Sequence, residues 1–178
     1  RRARAATSSS CVIITTVPPA RWTLPKISIN SAAIRNPQFI NDLAASFGKQ
    51  FVVVAVDTKW INGKNYVHLN GGRIPTTIET EQWVLEAQER GAGEILLTSM
   101  DHDGTKSGFD CTELKKLNQT LSIPLIASGG AGCMADFAEV FEKADVDAAL
   151  AASVFHYGEI LIPELKQFLK QKAIPIRI

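Results

Sequence analysis

The chain has no apolar run close to the roughly 18–20 residues that a membrane-spanning helix requires, so no such helix is read in it. It has no excess of either charge, with 19 Lys and Arg against 18 Asp and Glu. Near-neutrality removes the electrostatic case for nucleic acid or an anionic membrane as the main partner. Cysteine is scarce. Cys11, Cys111 and Cys133 are odd in number, far apart and outside any CxxC or Cys/His cluster. That spacing argues against structural zinc and against a disulfide framework, and for reduced thiols in a cytoplasmic protein. No Gly is followed, after four residues, by Gly-Lys-Ser or Gly-Lys-Thr, which excludes a P-loop. A calcium loop needs glycine in sixth place, whereas Gly104 comes fourth from Asp101. No metal and no cofactor is implied. Internal repeats and low-complexity tracts are missing too.

Acidic residues are lacking altogether from positions 1–25, which hold Arg1, Arg2, Arg4 and Arg21. Ser8-Ser9-Ser10 and Pro18-Pro19 interrupt any period there. An Arg- and Ser-rich, acid-free stretch has the composition of an organellar transit peptide, but the amphipathic pattern is weak. A fragment or gene-model artefact is the competing reading. Residues 1–25 are expected to be irregular and poorly packed, apart from a domain spanning 26–178.

From Lys26 onward, short apolar runs alternate with helical patterns. Lys26–Asn30 reads as a strand. Asn36 caps a helix with Pro37 in its first turn, running to about Phe47 before Gly48. Phe51–Val56 is continuously apolar and β-branched, as in a strand covered on both faces. The polar stretch between Ile61 and Pro75 predicts a small hairpin through its alternation and Asn-Gly pairs. A helix follows from about Glu79 to Arg90, ended by Gly91 and Gly93. Glu94–Thr98 is the next strand, Met100–Phe109 a polar loop, and Cys111–Leu121 a helix. Two more apolar runs, Ile123–Ala127 and Asp147–Ala152, flank a helix from Met134 to about Glu142. Pro163 opens a last helix. Alternating elements with near-continuous apolar strands predict an α/β fold on a parallel sheet. Trp83 and Phe137 are read as core.

Two successive strands end in small, donor-rich turns. One is Ser128-Gly129-Gly130-Ala131-Gly132; the other is Ala152-Ser153. Glycine lets backbone N–H groups approach a ligand with no Cβ in the way. A pair of such turns after the last two strands is how a (βα)8 barrel holds a phosphate. Asp57, after the Phe51–Val56 run, ends its strand where barrel enzymes place general acids and bases; a helix cap or an ion pair with Lys59 is the structural alternative. Thr98 to Gly108 lies at the same mouth one unit later, with Asp101 and Asp103 among hydroxyls and glycines that suit a polyhydroxylated substrate. His102 is read as a solvated loop residue rather than a base, and His68, in the predicted hairpin, is likewise read as solvated.

Taken together, Lys26–Ala33, Val53–Lys59, Gly91–Gly108, Ile126–Gly132 and Ala148–His156 closely resemble the cyclase subunit of imidazole glycerol phosphate synthase. The resemblance implies a partial (βα)8 TIM barrel, strands four to eight with their helices. It implies an enzyme of L-histidine biosynthesis in the cytoplasm. The reaction joins ammonia to a phosphoribulosyl aminoimidazole carboxamide intermediate. The products are imidazole glycerol phosphate and aminoimidazole carboxamide ribotide. A glutaminase partner supplies the ammonia. Carried over position by position, Asp57 is the general acid, while Thr98, Asp103 and Gly104 line the substrate pocket. Ser128, Gly129, Gly130, Ala152 and Ser153 grip one phosphate, and Asn30 and Ser31 help with the other. Lys26 and Glu94 stand near the ammonia entrance.

The family's second catalytic carboxylate and its other glycine turn belong to early strands that this sequence does not match. Strongly reduced turnover by the chain alone is therefore expected, since each acid or base contributes about 10²–10⁴-fold, with weak phosphate binding retained. Five strands of an eight-stranded barrel also predict two open sheet edges, through which the chain could self-associate. A non-catalytic phosphate-binding half-barrel is the alternative of a different class, and a phosphoribosyl isomerase of the same pathway is a third.

Overall fold

The computed structural model describes residues 12–15 and 26–176. Arg1, Arg2, Arg4, Arg21, Cys11, the serine triplet and Pro18-Pro19 lie outside the described residues. The strands are β1 (Val12–Thr15), β2 (Ile27–Ile29), β3 (Val52–Ile61), β4 (Lys64–Leu69), β5 (Ile74–Glu79), β6 (Glu94–Ser99), β7 (Leu125–Ser128) and β8 (Ala148–Ala151). The helices are α1 (Ser31–Arg35), α2 (Gln38–Phe47), α3 (Thr80–Arg90), α4 (Cys111–Thr120), α5 (Met134–Ala144), α6 (Ser153–His156) and α7 (Ile162–Gln171).

Five strands, in the order β2-β3-β6-β7-β8, are parallel neighbours. This is the parallel sheet that the alternating pattern predicts, and it fits the partial barrel that the resemblance implies. Its helix-facing layer carries the main core: Val52, Val54 and Val56 of β3, Ile95 and Leu97 of β6, Leu125 and Ala127 of β7, and Ala149 of β8 pack in one apolar cluster with Trp83 and Phe137. Because strand side chains alternate, Val53, Ala55 and Asp57 face the other, concave side. Thus Val52–Val56 of β3, Leu125–Ala127 of β7 and Ala148–Ala151 of β8 are apolar on both faces, which explains the unbroken runs in the sequence.

Three local differences from the sequence reading have physical causes. First, β3 does not stop at Asp57 but continues to Ile61, because its last residues pair antiparallel with β4, and β4 in turn with β5. The turn is Asn62-Gly63, with φ of +50° and +80°. These are the signs of a primed hairpin turn, whose twist matches that of the strands. The extension is therefore a three-stranded antiparallel ribbon, larger than a small hairpin. Second, Pro37 rather than Asn36 stands at the N-cap of α2, since the five-residue α1 takes up the segment before it. Third, Val12–Thr15, within a stretch whose composition predicts irregularity, form a strand antiparallel to β8. An exposed edge row of N–H and C=O groups is a template for any apolar β-branched segment, and Val12-Ile13-Ile14 is one. Ile14 is buried in the core cluster. One of the two edges expected to be open, that of β8, is therefore occupied.

Among the described residues, no helix is long and apolar enough to cross a membrane.

Candidate functional site at the C-terminal rim

Strand register sets the site. Asp57 pairs with Thr98, Thr98 with Ser128 and Ser128 with Leu150, so Asp57 in β3 lies level with the ends of β6, β7 and β8. All of these strands run the same way, so Gly129-Gly130 and Ala152-Ser153 leave the sheet on the rim that carries Asp57. Asn30, the residue after β2, arrives there too. Its Nδ2 donates to Asp57 Oδ2 at 3.1 Å. Ser31 Oγ donates to Asn30 Oδ1 at 3.3 Å and accepts from the Asn70 N–H at 2.8 Å. Asn30 and Ser31 thus form a chain of hydrogen bonds that holds the acid and ends on the turn of the ribbon. Asp57 is neither a helix cap nor the partner of any ion pair with Lys59 among the described residues.

The turn after β7 is braced by the loop after β6. Gly130 O accepts from the Gly108 N–H at 2.9 Å, and His102 Nδ1 lies 2.7 Å from Gly108 O. A carbonyl only accepts, so Nδ1 carries the proton. Gly129 and Gly130 have φ of +90° and +110°. A Cβ on Gly130 would fall on the Gly108 carbonyl, and one on Gly129 would come within 2.7 Å of Ser99 O and 3.3 Å of Asp103 Cβ. Both glycines are therefore needed for conformation and for the close approach of two backbones. Asp103 is exposed, its N–H bonded to Ser99 O at 2.9 Å. Gly104 is exposed with φ +75° and open space around it. Thr98 is half-buried on the concave side. After β8, Ala152 stands at the N-cap of the short α6, and Ser153 is exposed. The first N–H groups of a helical turn have no intrahelical acceptor, which suits an anion beside them.

His68 departs from the sequence reading. It is a β4 residue, 4% exposed, directly opposite Asp57 in the antiparallel pair. Side chains of opposed residues share a face, so His68 and Asp57 project from the same face of the pair. Its Nδ1 lies 3.1 Å from Tyr66 O and donates to it. His102 is half-buried rather than solvated, for the reason given above.

A second polar cluster lies on the outer face of the same strands. Thr58 Oγ1 is 2.5 Å from both Asn65 Oδ1 and Thr80 Oγ1. Trp60 Nε1 donates to Asp110 Oδ2 at 2.9 Å, and Asp110 Oδ1 caps α4 by accepting from the Glu113 N–H at 3.1 Å. Burial pushes the Glu113 carboxyl above its usual range, while the Lys116 ammonium and a hydrogen bond with Asn65 pull it back. These residues come from elements 7 to 50 positions apart, a distance over which local patterning carries no signal.

At the opposite end of the strands, Lys26 and Glu94 form an ion pair that is largely buried. No group of three or more His, Cys, Asp or Glu side chains that could hold a metal ion occurs among the described residues.

A profile of the histidine biosynthesis protein family matches residues 21–161. The chain is 59% identical, over 153 residues, to the imidazole glycerol phosphate synthase subunit HisF of Flavobacterium psychrophilum. Identity is 55% to the same subunit of Flavobacterium johnsoniae over 153 residues, and 58% to that of Bacteroides thetaiotaomicron over 152. These alignments take in 85–86% of the chain and 61% of each relative. The chain thus spans about three-fifths of the length of the curated relatives it matches.

Proposed function

The chain belongs to the histidine biosynthesis protein family, and from that premise we propose that its rim carries out the cyclase chemistry of imidazole glycerol phosphate synthase. The substrate is the phosphoribulosyl aminoimidazole carboxamide intermediate plus ammonia. The products are imidazole glycerol phosphate and aminoimidazole carboxamide ribotide. The observation that carries this reading is the common level of Asp57, Thr98 and Ser128 across three parallel strands.

In this reading Asp57 delivers a proton as general acid, oriented by Asn30. Thr98, Asp103 and Gly104 contact the substrate's middle. The amides of Gly129 and Gly130, the Ser128 hydroxyl and the Ala152-Ser153 turn hold one phosphate. Asn30 and Ser31 reach toward the other. The Lys26–Glu94 pair stands where ammonia enters from a glutaminase partner, at the end of the strands away from the acid. The reaction belongs to the cytoplasm.

The rim offers one strand-borne carboxylate among the described residues, which favours a second reading, phosphate binding without turnover. Ammonia-dependent formation of imidazole glycerol phosphate, by the chain and by the assembled synthase containing it, separates the two. Loss of about 10²–10⁴-fold on Asp57→Asn supports the acid. Undiminished turnover by that variant removes Asp57 from the chemistry. Phosphate binding with no turnover in any assembly selects the second reading.

A further inference from the structure

The loop that braces the phosphate turn is itself fastened, at both ends, to one residue outside the site. Trp60 lies on β3 three positions beyond Asp57. Its backbone N–H donates to Asp101 Oδ2 at 2.8 Å, at the start of the loop. Its indole Nε1 donates to Asp110 Oδ2 at 2.9 Å, where the loop enters α4. Alongside, the Met100 N–H donates to Thr58 O at 2.9 Å. Between these anchors the loop closes on itself through His102 and Gly108, then donates from the Gly108 N–H to Gly130 O. The path from Trp60 to the phosphate turn therefore runs through these hydrogen bonds and one or two residues of backbone between them.

Asp110 is 8% exposed, so its carboxylate needs donors for both oxygens. The Glu113 N–H serves one and the indole serves the other. Only tryptophan, among aromatic side chains, combines a ring of this size with an N–H donor.

We propose that Trp60 is a positioning residue that presets the loop carrying Asp103 and Gly104 against the Ser128–Gly130 turn before a phosphorylated ligand arrives. The inference rests on the rim being the phosphate site. A ligand that must first order its own loop binds more weakly in proportion to the competent fraction, and Trp60 keeps that fraction high.

Trp60→Phe keeps an aromatic ring and the backbone N–H, and removes the indole donor alone; the α4 cap through Asp110 Oδ1 stays. Asp101 is exposed, so Asp101→Ala removes the other anchor without opening the core. Amide hydrogen exchange on the full chain, with titration of inorganic phosphate, tests both variants. Exchange of the Gly108 amide is expected to rise about tenfold, that of Leu97 in β6 to stay unchanged, and the phosphate dissociation constant to rise by a similar factor. If Trp60→Phe speeds exchange throughout the fold, Asp101→Ala decides. Unchanged Gly108 exchange in the deciding variant, or faster exchange with unchanged phosphate affinity, overturns the proposal. Exchange needs no turnover, so failure of the cyclase reading shows separately, as absent product. In an assembly that turns over, the loop variants raise KM more than they lower kcat, whereas loss of the acid lowers kcat.

Discussion

The Asn30 amide donates to the Asp57 carboxylate across 3.1 Å, joining the end of β2 to the middle of the long β3. A half-buried contact of this kind orients the carboxylate without removing a proton from it. Asn30→Ala removes the orienting donor while leaving the acid in place. Turnover in an active assembly is expected to fall about tenfold, less than the 10²–10⁴-fold of removing a general acid. Steady-state rates of the two variants, compared side by side, check the order.

Gly130→Ala is expected to be among the most damaging single-methyl changes in the chain. The new Cβ would collide with the Gly108 carbonyl at a φ of +110°. The backbone strain alone costs about 1–3 kcal/mol. Gly63→Ala serves as the reference, because its φ of +80° is also positive but nothing lies within 4 Å. It is expected to cost about 1 kcal/mol and to leave phosphate binding as it was. Urea unfolding and a phosphate titration on both variants measure the contrast.

Much of this arrangement was legible before any coordinates. The parallel strands announce themselves because they are apolar on both faces, as Val52–Val56 shows. Gly129-Gly130 and Ala152-Ser153 mark the rim as small residues at the ends of neighbouring strands, and at Gly129-Gly130 a close backbone approach requires them. The edges of the sheet were not legible. β5, with Thr76-Thr77 at its centre, is a strand because β4 pairs with it, and Val12–Thr15 because β8 offers an edge. His68 looks like a solvated hairpin residue until the register sets it opposite Asp57. The Thr58–Asn65–Thr80 and Trp60–Asp110 contacts join distant segments, so neither period nor composition marks them.

Glu113 gives the fold a pH dependence of known sign. Its carboxyl is raised in the folded state by burial, so the native chain binds the proton more tightly than the unfolded one. Its contribution is complete below the unfolded value near 4.5 and declines as pH rises through the higher folded value. Glu113→Gln stays neutral throughout. Relative to wild type it is expected to gain stability as pH rises from about 4.5 through the folded value, and to level off above it. Denaturant midpoints at several pH values read this out; a difference that is flat with pH contradicts it.

Lys26→Met withdraws the ammonium from a carboxylate that is 4% exposed. Removing one member of a buried pair costs about 3–5 kcal/mol. The loss is expected near the lower figure, because the Lys26 side chain keeps some contact with water. Thermal unfolding of the variant checks it, and phosphate binding at the far rim is expected to remain.

Inorganic phosphate titrated into the isotope-labelled chain, followed at individual backbone amides, tests the rim most directly. The account predicts saturable shifts at Gly129, Gly130 and Ser153, with Lys26 and Glu94 at the other end unmoved. Shifts confined to the Lys26–Glu94 end, or none at the three rim amides up to millimolar phosphate, would contradict it.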